Sequence, residues 1–284
     1  MLQESLDFLF HTFLAPKYLV KLGLVQEIIG IKYRQKRLEA AWFEHREKSK
    51  QEIINTFSKL EHKRKALIIG AGLLLDLPLK ELSEQFEEVI LVDIFFLQES
   101  IDEIKQYDNC RFEQVDISSA LKEAYYLWQN HGKDKELFDS KLRNLLHKKP
   151  NHFLLEENLD YVVSCNLLSQ LSLAFEYFAK KKKMLETDTL RAFFESFKVN
   201  HIEYLKAFPE DTTIHILTDT QKIVVNKEGK ELESLPSIDH TLLKDFKEQD
   251  SWLWNLADYG ELEKDYALKL KVQSSLLRPK PSHT

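Results

Sequence analysis

An α/β fold with a doubly wound, mostly parallel sheet is what this sequence predicts, and three observations predict it. First, the stretch 66–94 (ALIIGAGLLLDLPLKELSEQFEEVILVDI) reads as strand, glycine turn, helix, strand and acid. Second, apolar β-rich runs alternate with helical patterns from residue 66 to residue 218. That rhythm belongs to parallel strands with helices on both faces. Third, the chain before residue 66 is helical in pattern, which adds an N-terminal extension to the α/β unit. The chain has 284 residues, 43% of them hydrophobic and 30% charged, an ordinary globular balance.

Residues 1–65 form the helical extension, as packing helices or as a lid. Leu6, Phe8, Leu9, Phe13 and Leu14 mark a first amphipathic helix, stopped near Pro16. Tyr18 to Ile31 is a second, with Gly23 as its weak point, and Gln35 to Leu60 is a long charged third. In the third, Trp42 and His45 fall on one helical face and read as core plus a satisfied histidine. The N-terminus carries Glu4 and Asp7 where a secretory signal carries Lys or Arg. No window of about 18 apolar residues exists, so no membrane span and a cytoplasmic location are expected.

Ala66 to Ile69 is the first strand, ended by Gly70-Ala71-Gly72. Only seven glycines occur in the chain and two sit in this turn. Glycine allows a backbone to approach a ligand closely, and a helix starting here directs its unpaired N–H groups at the turn. That helix is expected over 75–86, and the second strand, 88–93, ends at Asp93. Asp93 follows Gly70 by 23 residues, near the ~20-residue spacing of an acid that binds ribose hydroxyls. A nucleoside-containing cofactor is therefore expected. Leu75 replaces the third glycine of G-x-G-x-x-G, which counts against a nicotinamide dinucleotide and an oxidoreductase.

Further strands are expected at 110–115, 160–165 and 212–218, with helices over 98–106, 117–147 and 168–207. Residues 129–150 read as a charged helical insertion closed by Pro150. A short strand at 222–226, a hairpin turn at 227–230 and an alternating strand at 266–272 finish the unit. The α/β domain spans 66–275. Trp252 and Trp254 are expected in a late loop, and 276–284 as a flexible tail. The net charge of −6 argues against bulk nucleic-acid binding. Cys110 and Cys165 read as core thiols, and no metal-ligand spacing exists.

The order of Gly70-Ala71-Gly72, Asp93, Asp116 and Asn166 after successive strands resembles the class I, Rossmann-like S-adenosylmethionine-dependent methyltransferases, over roughly residues 66–272. GAGLLLDLPL, the NLLSQL run and the Trp-rich segment resemble a less characterised bacterial subgroup of them. The resemblance implies a sheet of the seven-stranded type and S-adenosylmethionine as cofactor. It places Gly70, Ala71 and Gly72 against the methionine and ribose, Asp93 on the ribose hydroxyls, Ile94 on the adenine face and Asp116 on the adenine amine, beside Ile117. Asp116 also reads as a helix N-cap ahead of Ile117-Ser118-Ser119. Asn166, also a cofactor contact, joins Ser169, Gln170 and Asp219 as candidates to face the methyl group or its acceptor.

Two departures from the family stand out: Ile68 replaces its usual acid, and Leu74 an often-found third glycine. Asp76 is read chiefly as stabilising the following helix N-terminus, with the cofactor's amino group as its alternative partner. The prolines of amino-methylating relatives are missing after Asn166, so N-methylation does not follow. The function expected is methyl transfer to a small-molecule or protein acceptor; the alternative is a non-catalytic cofactor-binding or scaffold protein of the same fold.

Overall fold

A computed structural model describes residues 2–148, 152–262 and 264–277. Four helices come first: α1 (Leu2–Leu14), α2 (Lys17–Leu22), α3 (Leu24–Arg37) and α4 (Glu39–Phe57). Strands and helices then alternate: β1 (Lys65–Ile69), α5 (Leu79–Gln85), β2 (Glu88–Asp93), α6 (Gln98–Ile104), β3 (Cys110–Gln114), α7 (Leu121–His131), α8 (Lys135–Leu145), β4 (Tyr161–Cys165), α9 (Leu173–Lys181) and α10 (Asp188–Lys206). The last elements are strands: β5 (Thr213–Val225), β6 (Glu231–Pro236), β7 (Phe246–Ala257) and β8 (Ala267–Leu277).

These make one eight-stranded sheet in the order β3-β2-β1-β4-β5-β8-β7, with β6 paired to β5. Strands β1 to β5 run parallel, while β5–β6, β5–β8 and β8–β7 are antiparallel. The fold class is therefore as expected, α/β and mostly parallel at its centre. Central strands bury both faces, which explains their unbroken apolar sequences. Ile68, Leu91 and Val163 are neighbours in register and pack to one face with α4 and α5. Leu67, Ile90 and Val162 pack to the other with Ile202 and Leu205 of α10. A third cluster joins α2 and α3 to α7, α8, α9 and α10.

Several boundaries differ from the sequence expectation. The expected second helix is two, α2 and α3, divided at Gly23. Helix α5 begins only at Leu79, because Pro78 restricts the residue before it and cannot donate a helix hydrogen bond. Residues 70–78 are a loop, so no helix N-terminus faces the glycine turn directly. The expected insertion over 129–150 begins within α7, and its closing Pro150 lies outside the described residues.

The strands expected at 212–218 and 222–226 are one, β5, continued through a bulge between Asp219 and Gln221. Trp252 and Trp254 lie on β7 rather than in a loop. Leu276 and Leu277 belong to β8, paired with Lys247 and Phe246; the remainder of the expected tail, 278–284, lies outside the described residues. Among the described residues no helix is long and apolar enough to cross a membrane.

Candidate functional site

The carboxyl ends of β1, β2 and β4 converge on the glycine turn. The N–H groups of Gly70 and Ala71 both donate to the carbonyl of Val92, at 2.9 and 3.1 Å. Gly70 holds φ at +86°, and a Cβ there would lie 2.4 Å from the carbonyl oxygen of Cys165. Gly72 N–H donates to Oδ2 of Asp93 at 2.8 Å, and a Cβ at 72 would meet that oxygen at 2.9 Å. The two glycines thus bring the first loop against β4 and the carboxylate of β2. Their requirement is satisfied within the protein itself.

Asp93 Oδ1 accepts from Ile94 N–H at 2.7 Å. Burial pushes the pKa of Asp93 up from the usual carboxylate value, against the hydrogen bonds from Gly72, Ile94 and Phe95. A carboxylate offers about four lone-pair positions, so capacity remains for about one further donor. Asp93 lines a narrow cavity of about 70 Å³ with Gly70, Ile94, Asp116 and Ile117. Leu24 of α3 and Ala174 of α9 also border this cavity.

Asp116 is taken up by the start of α7. Its Oδ1 accepts from the N–H of Ser118 at 3.1 Å and from the Ser118 hydroxyl; its Oδ2 accepts from Leu121 N–H at 3.1 Å. Burial raises its pKa in spite of these bonds. Asp116 is not the N-cap read from the sequence: α7 starts only at Leu121 with Ala120 as its N-cap, and Asp116 reaches the Leu121 N–H from the loop before it.

The four acceptor-side candidates divide into two pairs. Ser169, just past β4, donates to Asp219 at the bulge within β5. Gln170 Nε2 donates to the carbonyl of Asn166 at 2.7 Å, and Gln170 alone of the four lines the cavity. Asn166 holds φ at +48° and donates through Nδ2 to Asp76 Oδ2 at 2.9 Å.

Asp76 does not serve the N-terminus of α5. Its Oδ1 lies 3.6 Å from Nε2 of the buried His45. Trp252 donates from its indole Nε1 to His45 Nδ1 at 3.0 Å, and Trp254 stacks on the imidazole at 4.0 Å. An indole can only donate, so His45 accepts at Nδ1 and presents its proton on Nε2 toward Asp76. Burial opposes ionisation of Asp76, but the His45 ring, the Asn166 amide and the charge of Arg46 outweigh it and hold the pKa below the usual value. Trp42 completes the wall by donating to the carbonyl of Leu256 at 3.1 Å. Trp42 and His45 are thus core and satisfied polar group, as expected, and not a lid.

Sequence reasoning missed this Asp76–His45–Trp252 chain. The signal was a lone acid in a leucine-rich loop, LLLDLPL, where burial demands a partner. It also missed Leu24 and Ala174 at the cavity. Nothing in their local pattern separates them from ordinary core.

No protein-family model and no curated protein matches the chain. Among solved structures it is similar to DhpI in complex with SAM and HEP, at 12% identity over 91% of this chain and 99% of that one, with a TM-score of 0.36. It is also similar to the Burkholderia thailandensis 1,6-didemethyltoxoflavin-N1-methyltransferase with bound S-adenosylhomocysteine, at 12% identity over 87% and 89%, TM-score 0.39. A SAM-dependent methyltransferase from Leishmania major gives 12% identity over 87% and 81%, TM-score 0.41. Superpositions this loose carry no functional weight, and the fold rests on the strand order itself.

Proposed function

We propose that this chain binds S-adenosylmethionine and transfers its methyl group to a small-molecule or protein acceptor. The observation that carries the reading is Asp93, at the carboxyl end of β2, bordering a cavity with acceptor capacity left on its carboxylate. With three of about four positions taken by Gly72, Ile94 and Phe95, one ribose hydroxyl can donate to Asp93 without displacing a loop N–H. Ile94 and Ile117 flank the same space and offer apolar faces to an adenine ring. The turn at Gly70, Ala71 and Gly72 leads toward Asn166, where the methionine portion would lie. Asp116 already serves several donors of its own loop, so its contribution is chiefly to fix the rim that Ile117 belongs to.

A sulfonium methyl donor supplies an electrophilic carbon and leaves as a thioether, while the acceptor loses a proton. Reactions of this kind depend mainly on holding the reactants in line. Ser169 and Asp219, hydrogen-bonded to each other, and Gln170 at the rim are the residues proposed to position the acceptor. The cavity is smaller than the ~300–1,000 Å³ typical of ligand sites. Binding therefore requires the lining to open, and Leu24 and Ala174 border it from α3 and α9.

Titration calorimetry with S-adenosylmethionine, S-adenosylhomocysteine and NAD tests the reading. Binding of the two sulfur nucleosides and not of NAD is expected. Failure of both to bind overturns it. A non-catalytic binding module is the second reading, favoured by Ile68, which is wholly buried where a family acid would reach the cofactor. Binding without turnover over a broad acceptor panel would decide for it.

A further inference from the structure

Helix α1 is fastened along one side only. Buried His11 accepts at Nε2 from Gln98 N–H at 3.1 Å. Asp7 accepts from Lys32 at 2.6 Å and from the Tyr33 hydroxyl at 2.9 Å. The opposite side carries Leu2, Leu6, Leu9, Phe10, Phe13 and Leu14, all more than half exposed, with Leu2 at 79% and Phe13 at 87%. No charged residue interrupts that arc. At 100° per residue Glu4 and Asp7 fall outside it, and only Gln3 lies within it.

We infer that this face is the interface of a two-fold dimer in which α1 packs antiparallel against α1 of a second copy. Leu2, Leu6, Leu9 and Phe13 are spaced 4, 3 and 4 residues apart, the a/d seam of a helix-on-helix contact. In antiparallel alignment Leu2 faces Phe13 of the other copy and Leu6 faces its Leu9, so one seam complements itself. A two-fold axis requires such self-complementarity. The antiparallel arrangement also sets the positive end of each helix dipole beside the negative end of the other.

Area supports the same partner. The six side chains expose on the order of 700 Å², more than the roughly 300–600 Å² of the largest apolar patch on a typical monomer. The four seam residues account for on the order of 500 Å² of this, so their contact buries roughly 1,000 Å² over both copies, about the least a specific interface needs. A bilayer surface fits less well. Helix α1 contains Glu4 and Asp7 but no Lys or Arg, and surface-seeking helices carry a basic polar face.

Light scattering on the eluting full chain tests the interface. The native protein is expected at twice its 33.5 kDa. Phe13→Glu and Leu6→Glu are each expected to raise the dissociation constant at least about tenfold, with unchanged circular dichroism. Leu232→Glu, exposed on β6, should leave the dimer intact. Should the glutamate variants not fold, Leu6→Cys chains mixed with Leu9→Cys chains should form an intermolecular disulfide on oxidation, beyond either alone or the native chain. A native monomer, a dimer that survives both glutamates, absence of the mixed disulfide, or monomers that bind lipid vesicles would each overturn the inference. None of these outcomes bears on cofactor binding.

Discussion

The backbone N–H of Gly72 donates to Asp93 Oδ2 at 2.8 Å, and a Cβ on residue 72 would lie 2.9 Å from the same oxygen. Loop and carboxylate are thus fitted to each other across two strand ends. Gly72→Ala should force them apart, costing about 1–3 kcal/mol of stability by overpacking and weakening S-adenosylhomocysteine binding. Chemical denaturation and calorimetry check this, and native-like values of both would refute it.

Asp93→Ala removes the acceptor while leaving room for the loop. Affinity for S-adenosylhomocysteine should fall by about 1–3 kcal/mol, the effect of losing a charged hydrogen-bond partner. Calorimetry on folded variant protein is the readout. Unchanged affinity would exclude the ribose role.

Leu24→Trp enlarges a residue at the border of the cavity. Ligand affinity should drop by about tenfold or more, the equivalent of ~1.4 kcal/mol. The melting temperature should shift little, because Leu24 is only half-buried. Equal loss of stability and binding would instead make Leu24 a core residue.

Asp76→Asn keeps the shape and removes the charge that His45 and Asn166 face. A loss of about 2 kcal/mol is expected, as for hydrogen bonds to a charged group. The pKa of Asp76 is lowered on folding. Its stabilisation is therefore complete above the unfolded value, about pH 4, and is lost as pH falls through the lower folded value. Urea unfolding of both proteins should converge at the acid end of that window; a constant gap would refute the assignment.

Burial lowers the pKa of His201 to about 4 and of His215 to about 3. Both rings are neutral in the fold, and the unfolded chain binds their protons near pH 6.5. Stability should thus be full above pH ~6.5 and decline as pH falls, by about 1.4 kcal/mol per pH unit for each ring. Thermal melts from neutral pH toward pH ~5 should show the fall. A flat profile would contradict buried neutral histidines.

How far the sequence reveals this molecule depends on where a strand's partners lie. Strands β1, β2 and β4 are covered on both faces, so their apolar runs mark them almost to the residue. Strand β5 hides its length, because polar Thr218, Asp219 and Thr220 are buried at the bulge and look like a terminus. The Trp252–Leu253–Trp254 alternation, with the central residue 53% exposed, carries the period of a strand. Its tryptophans suggest a pocket loop only when that period is overlooked. At the site, Gly70, Asp93, Ile94, Asp116 and Ile117 are legible because they follow strand ends in order. Asp76 is not, since its partners His45 and Asn166 stand 31 residues before it and 90 after it.

Strand β8 lies between β5 and β7, although it follows both in sequence. Until residues 267–277 emerge, β7 has nothing to pair with, and Trp252 and Trp254 cannot be held against His45. Completion of the wall behind Asp76 thus waits for residues 267–277. A chain halted before residue 267 would lose two strands rather than one.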